Sequence, residues 1–472
     1  MGIAWLLLRR TFASRPKRTL LFLLGYALAT AVMITLLAVG QAVLQQARDK
    51  DLLGGGDLIL VPQGIDIESM KVGGISALYF SIPQARFIVR QLLGSSRFEN
   101  QIAAVSPYLF SRLLYLRRNE TVVTVFGDGS IPDEEAAVKQ ISLPWKNTAE
   151  DTSWLHPASR DFYHEIDHFH LPSVQGTELN RWAEWHYFNF EAKDFYGYLS
   201  IMAAGNPNSN SAQWIVSLQM IDSDYHHYSA TFPLSKTQLP LEKVDYSAGT
   251  NGIRFVDDHY EISLNFEDRL PVRANLKFYP SPGLNFPPTD LARSDNFESG
   301  YVIPAIRGQY HGQLQIGNKH YDFENLNGYH DHNWGIWLKT EWNWGHLFSP
   351  DYSIFFGEIF VNQKSKGLFV GVFDRKGFLS VFRPAVLQLS DYRPGPKGSS
   401  VPMRLQMKDS KRFSAIQISG DAQSYVPTKV ESSYFIQYKM NYKVTLQIDG
   451  RTVSFSATGN AETYVPVREK AE

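Results

Sequence analysis

The chain has 472 residues, with 46 Lys and Arg against 47 Asp and Glu, and a net charge of −1. That balance lacks the basic face of a nucleic-acid binder, and 44% hydrophobic with 20% charged residues fits a globular chain rather than a disordered or multi-span one. Cysteine is absent, which excludes disulfides, thiolate zinc sites, iron–sulfur clusters and cysteine nucleophiles.

From Thr19 to Ala47 there is no charged residue, and most positions are Leu, Ala, Val, Ile or Phe. About 20 such residues cross a bilayer core as a helix. Arg9, Arg10, Arg15, Lys17 and Arg18 precede the run, whereas Arg48, Asp49, Lys50 and Asp51 follow it in balance. The positive-inside rule therefore predicts a cytoplasmic segment over 1–18 and a single transmembrane helix over 19–47. The large C-terminal part then lies on the periplasmic or extracellular side of the inner membrane. A cleaved signal peptide is the alternative, but the run exceeds the usual h-region of about 7–15 residues.

Asp57–Val61 and Thr121–Phe126 read as strands, and Pro83–Leu93 as a helix with apolar Phe87, Ile88, Leu92 and Leu93 at helical spacing. Together they predict a small α+β module over 48–126. Residues 127–153 are polar, with an Asp133-Glu134-Glu135 run, and read as a linker.

From Trp154 onward the pattern is mainly β. Short apolar runs such as Ile215–Ile221, Tyr260–Phe266, Arg273–Tyr279 and Tyr352–Val361 recur between turn signals. Asp449-Gly450 and Asp374-Arg375-Lys376-Gly377 each join two such runs as hairpin turns. This density of strands predicts barrels or sandwiches, and the length predicts two barrel-like domains, 154–324 and 325–472.

Three segments concentrate chemistry-bearing residues. The strongest is Asn327-Gly328-Tyr329-His330-Asp331-His332-Asn333-Trp334-Gly335, followed by Trp337, Trp342 and Trp344. The second is Arg181-Trp182-Ala183-Glu184-Trp185-His186-Tyr187-Phe188, and the third Gly459-Asn460-Ala461-Glu462-Thr463-Tyr464. Asp, His and Asn between glycines also tie turns together through local side-chain bonds, which is the structural alternative for Asp331. If the block is extended, His330 and His332 share a face, and zinc with His186 or Glu184 as third ligand becomes an alternative; nothing in the sequence fixes that ligand, and no metal or cofactor is assigned. Trp182 and Trp185 read equally as core. His226-His227 reads as a polar turn or strand end, and His164, His168 and His170 as a surface near the start of the first domain. No phosphate loop or nucleophile elbow is present.

Two resemblances rest on these residues. Leu7-Leu8-Arg9-Arg10, Pro16-Lys17-Arg18-Thr19 and Gly54-Gly55-Gly56-Asp57-Leu58-Ile59-Leu60-Val61-Pro62 resemble the start of MacB/FtsX-type ABC-exporter permeases over about 5–125. The family's remaining transmembrane helices are missing. The Glu-Trp-His-Tyr-Phe and Gly-Tyr-His-Asp-His-Asn-Trp-Gly motifs resemble the AttH/CrtC family over about 155–472. That family has tandem lipocalin-like β-barrels and includes carotenoid 1,2-hydratases and AttH proteins associated with ABC export. His186 departs from its usual Trp, and the C-terminal Gly/Glu motif matches only in part.

The resemblance implies a membrane-anchored protein binding a hydrophobic, isoprenoid- or lipid-like molecule, with hydration or cyclisation by alkene protonation as its chemistry. Such an acid must stay protonated near neutral pH, which burial among aromatic rings achieves; aromatic faces also stabilise the resulting cation. Asp331 is the candidate acid, and His330, His332 and Asn333 are its candidate helpers. Tyr329, Trp334, Trp337, Trp185, His186, Tyr187 and Glu184 are candidate ligand-binding residues. The alternative is a non-catalytic accessory whose partners are an ABC permease and ATPase.

Overall fold

The computed structural model describes residues 2–52, 55–62, 80–94, 97–98, 101–119, 121–172, 176–209, 211–234, 239–267, 270–294, 297–336, 340–430, 433–448 and 450–466. Trp337 lies outside the described residues. The chain divides into two compact units: Met1–Ser81 with Ala103–Thr148, and Ile82–Ile102 with Ala149–Glu472.

The first unit holds helix α1 (Ile3–Ser14) and helix α2 (Pro16–Leu52). Within α2, Pro16–Gln45 has mean hydropathy 2.3 and is long and apolar enough to cross a membrane. Strands β1 (Tyr108–Arg118) and β2 (Thr121–Ser130) form an antiparallel hairpin. Asp57–Val61, expected as a strand, is not one.

Helix α3 (Ile82–Gly94), expected inside the 48–126 module, belongs to the second unit. Its buried Phe87 stacks on Phe162 with centroids 6.3 Å apart, and Arg90 lies 4.0 Å over the same ring. Within the first unit, part of the expected linker forms helix α4 (Pro132–Lys139), with Asp133, Glu134 and Glu135 in its first turn, where the helix dipole favours acids. Helices α5 (Ala149–Leu155) and α6 (Ser159–Asp167) then lead into the β region.

The first sheet contains β3 (Trp182–Glu191), β4 (Tyr196–Ala204), β5 (Gln213–Ile221), β6 (Tyr225–Pro233), β7 (Asp245–Ala248), β8 (Asn251–Val256), β9 (His259–Phe266), β10 (Val272–Pro280), β11 (Phe286–Ser294), β12 (Phe297–Ile316) and β13 (Lys319–Ile336). Its order is β6-β5-β4-β3-β13-β12-β10-β9-β8-β7, with β11 on β12. It curls until β5 meets β7 and β6 meets β9, a near-closed barrel. The second sheet contains β14 (Thr340–Phe348), β15 (Tyr352–Val361), β16 (Lys364–Asp374), β17 (Gly377–Phe382), β18 (Gln388–Pro394), β19 (Ser400–Ser410), β20 (Ser414–Val430), β21 (Ser433–Ile448) and β22 (Arg451–Pro466). Here β22 returns to pair with β14, so the order is β17-β16-β15-β14-β22-β21-β20-β19-β18. The protein is therefore mainly β, with tandem lipocalin-like sheets.

Asn325, expected near the boundary between these domains, lies inside β13. It takes φ +54° where the pairing with β12 slips between Tyr310 and His311, a bulge that Asn tolerates. Each sheet encloses its own apolar core, typified by Phe188, Leu199 and Phe278 in the first and Ile418, Ile436 and Val370 in the second. A third cluster, including Tyr301, Ile303, Tyr329, Trp344 and Phe355, joins the two sheets.

Candidate functional site

Strand alternation sorts the two motifs. Successive side chains on a strand point to opposite faces, and β13 pairs with β3 in unbroken register, with Asp331 opposite Tyr187 and His332 opposite His186. Tyr329, Asp331 and Asn333 on β13 therefore share a face with Trp185 and Tyr187 on β3. His330, His332 and Trp334 share the opposite face with Glu184, His186 and Phe188. The two glycines around the block do not make a turn. A Cβ on Gly328 would lie 2.2 Å from the Tyr310 ring, and one on Gly335 2.2 Å from the Glu298 carbonyl oxygen. They let rings and backbone approach an extended strand closely.

The first face opens into a cleft between the sheets, lined by Trp185, Tyr187, Tyr301, Asp331, Asn333 and Trp342 among others, with about 550 Å³ of empty space including its mouth. Asp331 lies deep in it, 5% exposed. Its Oδ2 accepts hydrogen bonds from Tyr329 (2.9 Å) and Tyr301 (3.3 Å), and its Oδ1 from Asn333 Nδ2 (3.1 Å). The two phenols are 2.7 Å apart, and Trp344 Nε1 donates to Tyr301 at 3.2 Å. Trp185 and Trp342, one from each sheet, stack at 6.1 Å.

Across the cleft stands Glu462 of β22, bonded by Trp342 Nε1 (3.3 Å) and Gln437 Nε2 (3.1 Å). Burial, with the Glu462 charge adding to it, holds the Asp331 carboxyl well above the ordinary carboxylate range against its tyrosine hydrogen bonds. Burial likewise pushes Glu462 up to about 7. Among the described residues, no Lys or Arg lines the cleft.

The second face meets a buried network. Asp167, at the end of α6, accepts from Tyr260 (2.8 Å) and faces His330 Nε2 and His332 Nδ1, each at 3.0 Å. His332 Nε2 reaches Glu184 Oε1 at 2.8 Å, which also meets His170 Nδ1 at 3.1 Å. Burial disfavours the charged forms here, but the two carboxylates outweigh it and raise His332 to about 9. Burial would raise Asp167 too, yet His186, His330 and His332 hold it well below the carboxylate range. His186 is held well below its usual range by burial and the His332 charge; its Nδ1 lies 3.6 Å from Asp167 Oδ1, and neither ring nitrogen makes a hydrogen bond among the described residues. The ligating atoms of Asp167, His186 and His330 lie within 4.8 Å of one another. The same holds for His170, Glu184 and His332, and in the structure the carboxylates of both groups are hydrogen-bonded to histidines.

The structure thus brings Asp331, Asn333, Tyr329, Trp185 and Tyr187 to the cleft, and turns His330, His332, Trp334, His186 and Glu184 into the barrel interior. His170, expected on a surface, stacks on Trp334 at 3.7 Å. His226 lies on strand β6 beside Asp222. Tyr301 and Glu462 complete the cleft. Tyr301 carries no motif signal, whereas Glu462 sits in the third polar segment.

No protein-family model matches the chain, and no curated protein matches it. Solved structures are similar in fold. An AttH-type protein from Nitrosomonas europaea is 11% identical, with a TM-score of 0.44 over 64% of this chain and 97% of that one. Kievitone hydratase from Nectria haematococca is 13% identical, with a TM-score of 0.42 over 63% and 93%. CghA with Sch210972 is 11% identical, with a TM-score of 0.43 over 64% and 96%. None of these matches supports the permease-like reading of the N-terminal segment.

Proposed function

We propose that the cleft between the sheets binds an elongated apolar molecule carrying an electron-rich double bond, isoprenoid-like in character, and that Asp331 protonates that bond. One observation carries the reading: a buried carboxyl group, which burial holds well above the ordinary carboxylate range, lies in an aromatic cleft. Protonating a trisubstituted alkene leaves a tertiary cation, which Trp185, Trp342 and Trp344 are suited to stabilise through their π-faces. Asn333, Tyr301 and Tyr329 orient the acid. Anchoring through α2 with the basic N-terminus inside the cell, supported by Arg9 to Arg18, puts the cleft on the outer side of the inner membrane.

The test is incubation of the detergent-solubilised full chain with acyclic isoprenoids, followed by mass spectrometry. A product heavier by one water, or an isomeric ring, is expected. Unchanged substrate across the panel, with ligand bound, refutes the acid role.

A second reading, an accessory that hands a hydrophobic cargo to an ABC permease and ATPase, is favoured by the exposed apolar side chains of the β1–β2 hairpin, among them Leu113, Leu114, Tyr115, Leu116, Val122, Val123 and Phe126. Purification of the natively expressed chain without such subunits refutes it.

A further inference from the structure

Glu462 is the second carboxyl group of the cleft, and it comes from the other sheet. Its backbone pairs with Trp344 on one side and Gln437 on the other. Two neighbours hold its oxygens apart: Gln437 Nε2 on Oε1 and Trp342 Nε1 on Oε2. It is therefore a fixed acceptor rather than a mobile surface acid.

Of the remaining titratable groups among the described cleft residues, Glu358 accepts from Asn343 Nδ2 (3.2 Å) and Ser365 Oγ (2.8 Å), Tyr301 is bonded to Tyr329 and Asp331, and Tyr187 bonds Glu462. No Lys or Arg lines the space among the described residues. Two carboxyls facing one low-dielectric cleft without a cation divide a proton between them, one acting as acid and the other as base. Asp331, the more deeply buried of the two, is the acid. Glu462, near half-protonation at neutral pH, is left as the base.

We infer that Glu462 is a catalytic base that takes a proton from water as that water adds to the cation formed by Asp331. This rests on the proposed role of Asp331 and makes the reaction a hydration built from both domains. The steps balance. The alkene π-electrons take the Asp331 proton, forming a C–H bond and leaving a tertiary cation and the Asp331 carboxylate. A water lone pair then forms the C–O bond while its O–H electrons return to oxygen and the proton goes to Glu462. Return of that proton to Asp331 through solvent restores the site, and the net change is alkene plus water to tertiary alcohol.

The experiment uses the solubilised full chain with squalene in a mixture of deuterium oxide and heavy-oxygen water. Deuterium gained at a vinylic carbon reports protonation by Asp331, because the cation can lose a proton back to it. Heavy oxygen in the product reports water addition. The unsubstituted chain should introduce both labels. Glu462→Gln should keep deuterium exchange and lose heavy-oxygen incorporation by roughly 100-fold or more, the usual scale for a general base. Glu462→Ala should behave alike, and added formate should restore its oxygen labelling by supplying a carboxylate.

If the unsubstituted chain introduces neither label, the role of Asp331 fails and this inference falls with it. If Glu462→Gln still incorporates heavy oxygen, the inference fails while Asp331 stands. Loss of both labels in a variant with an unchanged melting curve would make Glu462 a positioning residue, and a folded Glu462→Ala chain that formate does not revive overturns the base role too.

Discussion

Replacing His332 with Gln tests whether the network inside the first sheet is held by an imidazolium between two carboxylates. His332 lies between Asp167 Oδ1 at 3.0 Å and Glu184 Oε1 at 2.8 Å, and all three side chains are buried. The folded protein raises His332 to about 9, against about 6.5 in an unfolded chain. A raised folded value means that the folded state holds the proton more tightly, so the contribution is complete below about pH 6.5 and fades as pH rises through 9. At about 1.4 kcal/mol per unit the contribution is about 3 kcal/mol. For a domain of this size that is a fall of roughly 6–12 °C in melting temperature between pH 6 and pH 10. Gln bonds one carboxylate but supplies no charge, so the variant should lose roughly 3–5 kcal/mol at pH 6, as broken buried ion pairs do. Its melting temperature should also depend less on pH than the parent's. Near-ultraviolet circular dichroism melts of both chains across that range give the comparison. Parallel pH profiles for the two would refute a charged His332.

Further expectations concern the cleft and its support. A Cβ on Gly300 would lie 2.0 Å from the Trp334 ring, which His170 stacks from another side; Gly300→Ala should destabilise by roughly 1–3 kcal/mol or more in denaturant titrations, as overpacking does, and an unchanged midpoint would mean the ring is free to move. Asp331→Asn should abolish alkene protonation. Because the fold raises the Asp331 value, the parent loses stability as pH rises above about 3.9, where the carboxyl ionises in the unfolded chain before it does in the folded one, so the Asn variant should match the parent below that pH and exceed it above; a variant weaker than the parent at every pH would mark Asp331 as structural. Tyr301→Phe removes the acceptor of Trp344 Nε1 and one donor to Asp331, and should lower stability by roughly 1–3 kcal/mol and slow proton transfer, as seen in melts and deuterium exchange.

Much of the fold was legible because strand signals are local. The hairpin at Asp374-Arg375-Lys376-Gly377 closes with Asp374 opposite Gly377, and its Asp374 side chain accepts from the Lys376 backbone, as the sequence chemistry requires. The apolar run from Thr19 to Ala47 falls within one helix for the same local reason. The division of labour within the polar block was not legible. Alternation shows that Asp331 and the flanking histidines face opposite ways, but not which way is inward. That depends on Asp167, brought from α6 to meet His330 and His332, and on Tyr301, brought from β12 to meet Asp331. Glu462 shows the same limit from the other end of the chain. Its polar neighbourhood was visible, yet only the return of β22 onto β14, with Glu462 opposite Trp344, carries it into the cleft. The short polar motif therefore serves two environments at once. Its histidines are neutralised by carboxylates on one side of β13, while Asp331 meets only phenols, an amide and another carboxyl on the other. The contrast explains why adjacent residues both favour their protonated forms for different reasons: His332 is raised by pairing with two carboxylates, whereas burial raises Asp331 against its tyrosine hydrogen bonds and the His332 charge.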